Sequence, residues 1–266
     1  MAKIHILTLN WNGLDKLKEL IPSTLNSISN LDATWYIRDN GSTDGSIEFI
    51  EQFPEIKLLK VDHNRDNFSK GMNTLFSLAS PDDEDFVLLL NNDVVFKDTG
   101  SIKEMMKRFD NPDVGVVGAK LFYKGTKKIQ HCGVVFNSKG LPYHLDDGKP
   151  EAKHHKKDRE FQVVTGAVWL TKGKYYKQAS DTGGLDESFH WAFDDVAACL
   201  HIKYKAGKKI IYCGKTNIEH ESSGSLKKNP VNKQYLSQNY TRLRDLYRDY
   251  IKCDERAYLN PDFQVV

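Results

Sequence analysis

The chain has 266 residues, of which 39% are hydrophobic and 11% are aromatic, and its formal net charge is +2. This composition supports a buried core and excludes a chain that is disordered along its whole length. The length allows one large domain or two small ones, and the small net charge does not demand a polyanionic partner.

The positive charge is concentrated toward the end of the chain. Residues 201–252 contain 12 Lys and Arg against 4 Asp and Glu, whereas residues 1–150 contain 18 against 21. A region like 201–252 is typical of a solvated face, and an anion-binding face is the alternative.

The cysteines and the apolar runs indicate where the protein resides. Cys132, Cys199, Cys213 and Cys253 lie far apart without Cys-x-x-Cys spacing, so we expect buried thiols in a reducing compartment rather than a zinc site or disulfides. The start of the chain lacks a signal peptide's apolar segment, and no apolar run approaches the roughly 18 residues of a transmembrane helix. The sequence therefore predicts a soluble, cytoplasmic protein, with a peripheral contact at a membrane surface left open.

The first 120 residues alternate between strand-like and helix-like segments. Short apolar runs predict strands at 3–9, 34–38, 56–61, 85–90 and 114–122. Apolar residues at helical spacing predict helices at 13–28, 42–53, 69–79 and 101–109. Strands that alternate with helices indicate an α/β fold with parallel βαβ units and helices on both faces of the sheet.

The pattern loosens after residue 121. Residues 127–160 are polar and basic and predict a long loop or hairpin over the sheet. We then expect strands at 161–171 and 208–213, a helix from about Asp194, and an amphipathic helix over 232–252. The predicted organisation is one domain over 1–228, with halves 1–120 and 121–228, and a C-terminal helical extension over 229–266.

Four polar segments follow the first four predicted strands, at the point where each strand ends. They read "LNWNG", "RDNGSTDGS", "DHNRDNFS" and "NNDV". Turn and cap chemistry explains any one of them, because Asn, Asp and Gly are common in both settings. Ligands bind beyond the carboxyl ends of parallel strands, so four such segments on one edge favour a binding site.

Asp93 comes directly after the most apolar of these strands. A carboxylate at that position suits a hard divalent cation, Mn²⁺ or Mg²⁺, which takes its other ligands from water and phosphate. His220 would complete the ligand set, although a single histidine is more often structural or exposed. We predict a metal and diphosphate site at Asp93.

Asp194 and Asp195 begin a predicted helix and are preceded by the aromatic-rich segment "ESFHWAF". Carboxylates at a helix start are explained by capping and by the helix dipole. The functional alternative is that adjacent acids raise one another's pKa and that one of them is a general base. The aromatic surroundings favour this alternative, because they suit a pocket that stacks on a sugar ring.

Eight segments together resemble family 2 glycosyltransferases, most closely the rhamnosyltransferase-like branch. The resemblance spans roughly residues 3–225, and the segments occur in the family's order: "LTLNWNGLDKLKELIPSTLNSI", "RDNGSTDGSIEFI", "LLLNNDVVF", "VGVVGAKLFY", "KKIQHCGVVF", "VTGAVWLTK", "GGLDESFHWAFDDVAACLHIKYKAGKKIIY" and "IEHESSGS". It implies the GT-A nucleotide-diphospho-sugar transferase fold, with a mostly parallel central sheet and inversion at the anomeric carbon.

The resemblance also implies roles on the donor side of the site. Asn10 and Asp39 would contact the nucleotide's base and ribose, with Thr8 nearby. Asn92 and Asp93 occupy the place of the family's DxD-type motif, in which Asn92 would contact the nucleotide and Asp93 would bind the metal.

Further roles follow for the second half of the chain. His220 resembles the second protein ligand of the metal or diphosphate, and Asp195 stands where the family has its general base. Asp194 and Trp191 would lie on the acceptor side. The implied donor sugar pocket consists of Thr165, Gly166 and Ala167.

The functional expectation is an inverting, metal-dependent glycosyltransferase that uses a UDP- or dTDP-linked sugar. Its acceptor would be a saccharide or a lipid-linked saccharide. One alternative is the same chemistry on a modified nucleic-acid base, held through the basic region 201–252. The other is a non-catalytic nucleotide-sugar or glycan-binding protein, suggested by Ala197 where the family commonly has an acid.

Overall fold

The computed structural model describes residues 2–190, 192–221 and 231–259, and Trp191 lies outside them. The strands are β1 (Ile4–Asn10), β2 (Ala33–Asn40), β3 (Ile56–Val61), β4 (Phe86–Leu90), β5 (Val94–Phe96), β6 (Val114–Tyr123), β7 (Ile129–His131), β8 (Val134–Phe136), β9 (Pro142–His144), β10 (Arg159–Phe161), β11 (Val168–Lys172) and β12 (Lys209–His220). The α-helices are α1 (Leu14–Ile28), α2 (Ser46–Ile50), α3 (Phe68–Ala79), α4 (Ser101–Lys107), α5 (Gly173–Tyr176), α6 (Asp194–Tyr204), α7 (Val231–Tyr247) and α8 (Glu255–Leu259).

The central sheet is mixed, with most of its strands pointing one way. Its order in the described residues is β10-β12-β6-β11-β4-β1-β2-β3, with β5 beside β12 and β7 beside β6. β1, β2, β3 and β4 are mutually parallel, as are β6 and β12. Because β11 is antiparallel to both β4 and β6, these two groups point in the same direction. The predicted α/β sheet, mostly parallel, is therefore confirmed.

Helices cover both faces of this sheet, as β4 shows most clearly. Phe86, Leu88 and Leu90 join one buried cluster, which includes α1 and α4 side chains, whereas Val87 and Leu89 join another, which includes α3 and α6 side chains. Successive strand residues point to opposite faces, so a continuously apolar strand is expected where both faces are covered.

Two predictions for the second half differ from the structure. Residues 127–160 do form a hairpin, β8–β9, but β7 joins the central sheet and β8 is wholly buried, so much of this segment belongs to the core. The predicted strand over 161–171 is divided, since β10 ends at Phe161 and β11 begins at Val168. The residues between them turn toward the carboxyl edge of β4.

The C-terminal helices pack against the same core as the rest of the chain. Leu243 and Tyr247 of α7 and Tyr258 of α8 are buried in the cluster that contains Trp169 of β11. The predicted boundary between residues 228 and 229 lies outside the described residues and stays a prediction. No helix in the described part of the chain is long and apolar enough to cross a membrane.

The four cysteines are free thiols, and three of them are buried as predicted. Cys253 is exposed, so the expectation of burial is wrong there. It lies between α7 and α8, where the chain runs over the surface.

Candidate active site

The polar segments meet at the carboxyl edge of the parallel strands and border a cleft of about 580 Å³. Seven of the predicted site residues line it: Asn10, Asn92, Thr165, Gly166, Ala167, Asp194 and Asp195. The cleft therefore combines the donor side and the acidic pair that the sequence placed more than 100 residues apart.

The predicted nucleotide side of the cleft is a chain of polar contacts. The Asn10 amide nitrogen donates to Asp39 Oδ2 at 2.8 Å, and the Asn92 amide nitrogen donates to Asn10 Oδ1 at 2.9 Å. Asp39 is fully buried and also accepts from the hydroxyl of Ser42 at 2.7 Å. Asp39 therefore fixes Asn10, and Asn10 and Asn92 present the polar surface to the cleft.

The turn after β1 depends on the absence of a side chain at Gly13. A Cβ atom there would lie 2.3 Å from Asn10 Oδ1 and 2.6 Å from Asn92 Nδ2. Such distances would force the two amides apart, so Gly13 allows α1 to begin directly against the polar chain.

Thr8 has a different place from the one expected. Its side chain is fully buried, and its hydroxyl accepts a hydrogen bond from the Trp35 indole at 3.0 Å. Thr8 therefore supports the junction of β1 and β2 beneath the site and does not line the cleft.

Asp93 lies between two basic side chains. Its Oδ2 accepts from Lys16 Nζ at 3.2 Å, and its Oδ1 lies 2.9 Å from His220 Nε2. Burial raises the pKa of Asp93, whereas His220 in its protonated form and Lys16 lower it, and the net direction is downward. Asp93 is therefore an ionised, buried carboxylate at neutral pH.

This arrangement fits a divalent cation. Asp93 is only 7% exposed, yet its Oδ1, although 2.9 Å from His220 Nε2, receives no well-aligned hydrogen bond within the described residues. A buried carboxylate oxygen without a donor is costly unless a cation neutralises it. Carboxylate oxygen and imidazole nitrogen are both ligands for Mn²⁺.

Asp194 and Asp195 stand at the first turn of α6, directly after Phe193, whose φ is +68°. Asp195 Oδ2 accepts from the Gly166 backbone N–H at 2.8 Å, and Asp195 Oδ1 accepts from the Val196 N–H at 2.8 Å. Capping thus explains part of the position of Asp195. The bond to Gly166 also joins the acidic pair to the predicted sugar pocket.

Asp194 is half-buried and faces the cleft, but protein atoms surround its carboxyl group. This burial, with the neighbouring charge of Asp195, raises the pKa of Asp194 to about 7. The folded state therefore binds more protons at this residue than the unfolded chain does between pH 4 and pH 7.

We expect Asp194→Asn to gain stability relative to the parent protein as the pH rises from about 4 to about 7, because it removes a carboxyl group that is costly to ionise. The gain should be on the order of 2 kcal/mol, since the group is partly exposed. Urea unfolding at several pH values measures it, with the exposed Asp245→Asn as control. A difference between Asp194→Asn and the parent that does not change with pH would contradict the assignment.

Several residues at the site were not predicted from the sequence. Lys16 reaches Asp93 from the first turn of α1, and Gln130 contacts His220 from β7. On the far side, Tyr235 and His190 line the cleft with ring centroids 5.4 Å apart. Asn239 of α7 donates to the carbonyl of Ala192 at 2.9 Å and thereby holds the segment before Asp194.

A second group of potential metal ligands lies outside this cleft. Cys132, Asp146 and His155 place ligand atoms within 4.8 Å of one another. His155 Nδ1, however, accepts from the Ala152 N–H at 2.9 Å, so its proton lies on Nε2, which contacts Asp146 Oδ2 at 2.9 Å. That ring has no free lone pair for a metal. Its hydrogen bonds to Ala152 and Asp146 instead stabilise the 146–155 segment.

Comparisons with known proteins give the family and the fold of the chain. The model of glycosyl transferase family 2 matches residues 5–170. The O-antigen biosynthesis protein RfbC of Myxococcus xanthus is 26% identical over 234 residues, which cover 85% of this chain and 17% of RfbC. The chain therefore spans less than a fifth of that relative.

Two solved structures show the same fold at low sequence identity. GalNAc-T7 with UDP, GalNAc and Mn²⁺ has a TM-score of 0.66 and 12% identity, covering 100% of this chain and 52% of that protein. The mannosyltransferase PcManGT of Pyrobaculum calidifontis, in complex with GDP-Man and Mn²⁺, has a TM-score of 0.62 and 12% identity, covering 91% and 64%. The chain thus belongs to glycosyl transferase family 2 and has the GT-A fold that the sequence resemblance implies.

Proposed function

We propose that the protein is an inverting, metal-dependent glycosyltransferase that moves a sugar from a UDP- or dTDP-linked donor to a hydroxyl of a saccharide or lipid-linked saccharide. The proposal rests on what lies along the carboxyl edge of the sheet. That edge carries an amide-lined surface, the Asp93–His220 pair and the Asp194–Asp195 pair.

Asp93 and His220 would hold the cation, Mn²⁺ or Mg²⁺. When bound, such an ion neutralises the charge that develops on the leaving diphosphate. Lys16 lies beside Asp93 and would contribute a second positive charge to the same side of the cleft.

Asp195 would be the general base. It removes the proton of the acceptor hydroxyl while the acceptor oxygen bonds to the anomeric carbon and the bond from that carbon to the diphosphate breaks. The Gly166 N–H holds the Asp195 carboxylate beside the sugar pocket. A single displacement with one base inverts the anomeric configuration, in contrast to the paired carboxylates of a retaining hydrolase.

The relatives support this proposal, since the solved structures named above contain UDP or GDP-Man together with Mn²⁺. The non-catalytic alternative depended on Ala197, which is buried in the core and does not line the cleft. The nucleic-acid alternative gains no support from the relatives, and four described basic residues of 201–252 pair with acids: Lys203, Lys209, Arg242 and Arg248.

The proposal is tested by measuring nucleoside diphosphate release from UDP-, dTDP- and GDP-linked sugars with Mn²⁺, with and without a panel of saccharide acceptors. We expect release that EDTA abolishes, and a product whose anomeric configuration, read by NMR, is opposite to that of the donor. Retained configuration would contradict the inverting mechanism, and no release from any donor would contradict the assigned activity.

A further inference from the structure

His220 is contacted on both ring nitrogens by different partners. Its Nδ1 lies 2.5 Å from Gln130 Oε1, and its Nε2 lies 2.9 Å from Asp93 Oδ1. Gln130 lies on β7 and is 8% exposed, and the sequence pattern did not predict a role for it.

The contacts of Gln130 determine which way its amide faces. Its Nε2 donates to the backbone carbonyl of His220 at 3.3 Å, while its Oε1 faces the ring of the same residue. The flipped amide would set Oε1 against that carbonyl oxygen, two acceptors without a donor. Gln130 therefore accepts from His220 Nδ1, which must carry the proton.

A proton on Nδ1 leaves a lone pair on Nε2 of the neutral ring. The Asn91 amide nitrogen lies 3.4 Å from Nε2, where it can donate a hydrogen bond to that lone pair. In the neutral ring, Nε2 and the buried Asp93 Oδ1 therefore face each other as two acceptors 2.9 Å apart, whereas in the protonated ring an Nε2–H lies between them. A bound cation would take the place of that proton.

We infer that Gln130 is a positioning residue that fixes the Nδ1–H tautomer of His220 and so directs the Nε2 lone pair to the cation held by Asp93. The part of the inference that concerns the cation rests on the proposed function, whereas the part that concerns the tautomer of His220 does not. Partners of this kind, on the far nitrogen of a ligating histidine, typically change metal affinity by about 10- to 100-fold when removed.

The test compares three variants. Gln130→Met keeps the side-chain size and removes the acceptor, whereas Gln130→Glu retains an acceptor for Nδ1–H. The control is Gln162→Met, because Gln162 is also buried, at 4% exposed, and bonds the Lys252 carbonyl, far along the chain from Asp93. Loss of stability alone would affect Gln130→Met and Gln162→Met alike.

The first measurement is the ¹⁵N chemical shift of both ring nitrogens of His220 in the metal-free protein, at a pH high enough for the ring to be neutral. We expect the Nδ1–H form in the parent and in Gln130→Glu, and a mixture of tautomers in Gln130→Met. An Nε2–H ring in the parent protein, or an unchanged tautomer in Gln130→Met, would overturn the inference whether or not a metal binds.

The second measurement is Mn²⁺ affinity in the presence of UDP, read from the electron paramagnetic resonance signal of free Mn²⁺. We expect Gln130→Met to bind about tenfold more weakly, with Gln130→Glu and Gln162→Met near the parent. Equal affinity in Gln130→Met and the parent would overturn the role. A parent protein that binds no Mn²⁺ would overturn the proposed function, while the tautomer measurement still decides the role of Gln130.

Discussion

Asp93→Ala should abolish Mn²⁺-dependent nucleotide binding, with a loss of at least about 100-fold in apparent affinity. The variant removes the only charged oxygen ligand of the Asp93–His220 pair and leaves Lys16 and His220 as neighbouring basic groups without their carboxylate. Titration of UDP into the protein with Mn²⁺, followed by calorimetry, measures the effect.

The opposite end of the same strand offers a matched control. Asp85 precedes β4 and also contacts a histidine, with Asp85 Oδ2 3.2 Å from His5 Nε2. Asp85→Ala therefore removes a comparable Asp–His pair at the amino edge of the sheet. We expect it to lower stability and to leave nucleotide affinity unchanged. Equal losses of affinity in Asp85→Ala and Asp93→Ala would mean that Asp93 acts only through the fold.

Asp195→Asn should retain nucleotide and Mn²⁺ binding and lose about 10²- to 10⁴-fold in transfer rate, the usual contribution of a general base. Asparagine keeps one acceptor for the Gly166 or Val196 N–H but cannot take a proton from the acceptor hydroxyl. One backbone N–H loses its partner, so a stability loss of about 1 kcal/mol should accompany the loss of rate.

Asp186→Asn is the control for this prediction, because Asp186 accepts from the Ser188 N–H at 2.9 Å within the segment that leads to α6. It removes a hydrogen-bonded carboxylate that does not line the cleft. We expect near-parental transfer from Asp186→Asn. Transfer at the parent rate by Asp195→Asn would show that another group removes the proton.

The first half of the fold was predictable because its signals are local. Apolar strands followed by Asn, Asp and Gly marked β1, β2 and β4 and the edge where they end. β11 was different, since it pairs antiparallel between β4 and β6 although it follows them by tens of residues. Periodicity within a strand carries no information about which distant strand lies beside it.

The same contrast between local signals and long-range contacts explains which residues of the site could be predicted. Asn10, Asn92 and Asp195 stand directly at the ends of predicted elements, and they line the cleft. Lys16 and Gln130 lie inside elements, and their contacts at the site are with residues 77 and 90 positions away. Spacing along the chain does not reveal such contacts.

Thr8 shows a limit of a different kind. It shares a strand with Asn10 but lies two residues earlier, where its hydroxyl accepts from the Trp35 indole, and so it supports the cleft without lining it. The sequence predicted the edge of the sheet, but it did not predict how far from that edge the buried residues begin.

The central claim is that a divalent cation binds between Asp93 and His220 and holds the donor diphosphate. A crystal structure with Mn²⁺ and UDP, with anomalous data collected at the manganese edge, tests it most directly. We predict one anomalous peak within coordinating distance of Asp93 and His220 Nε2 and next to the diphosphate. A peak elsewhere, or a bound diphosphate without a peak at Asp93, would contradict the claim.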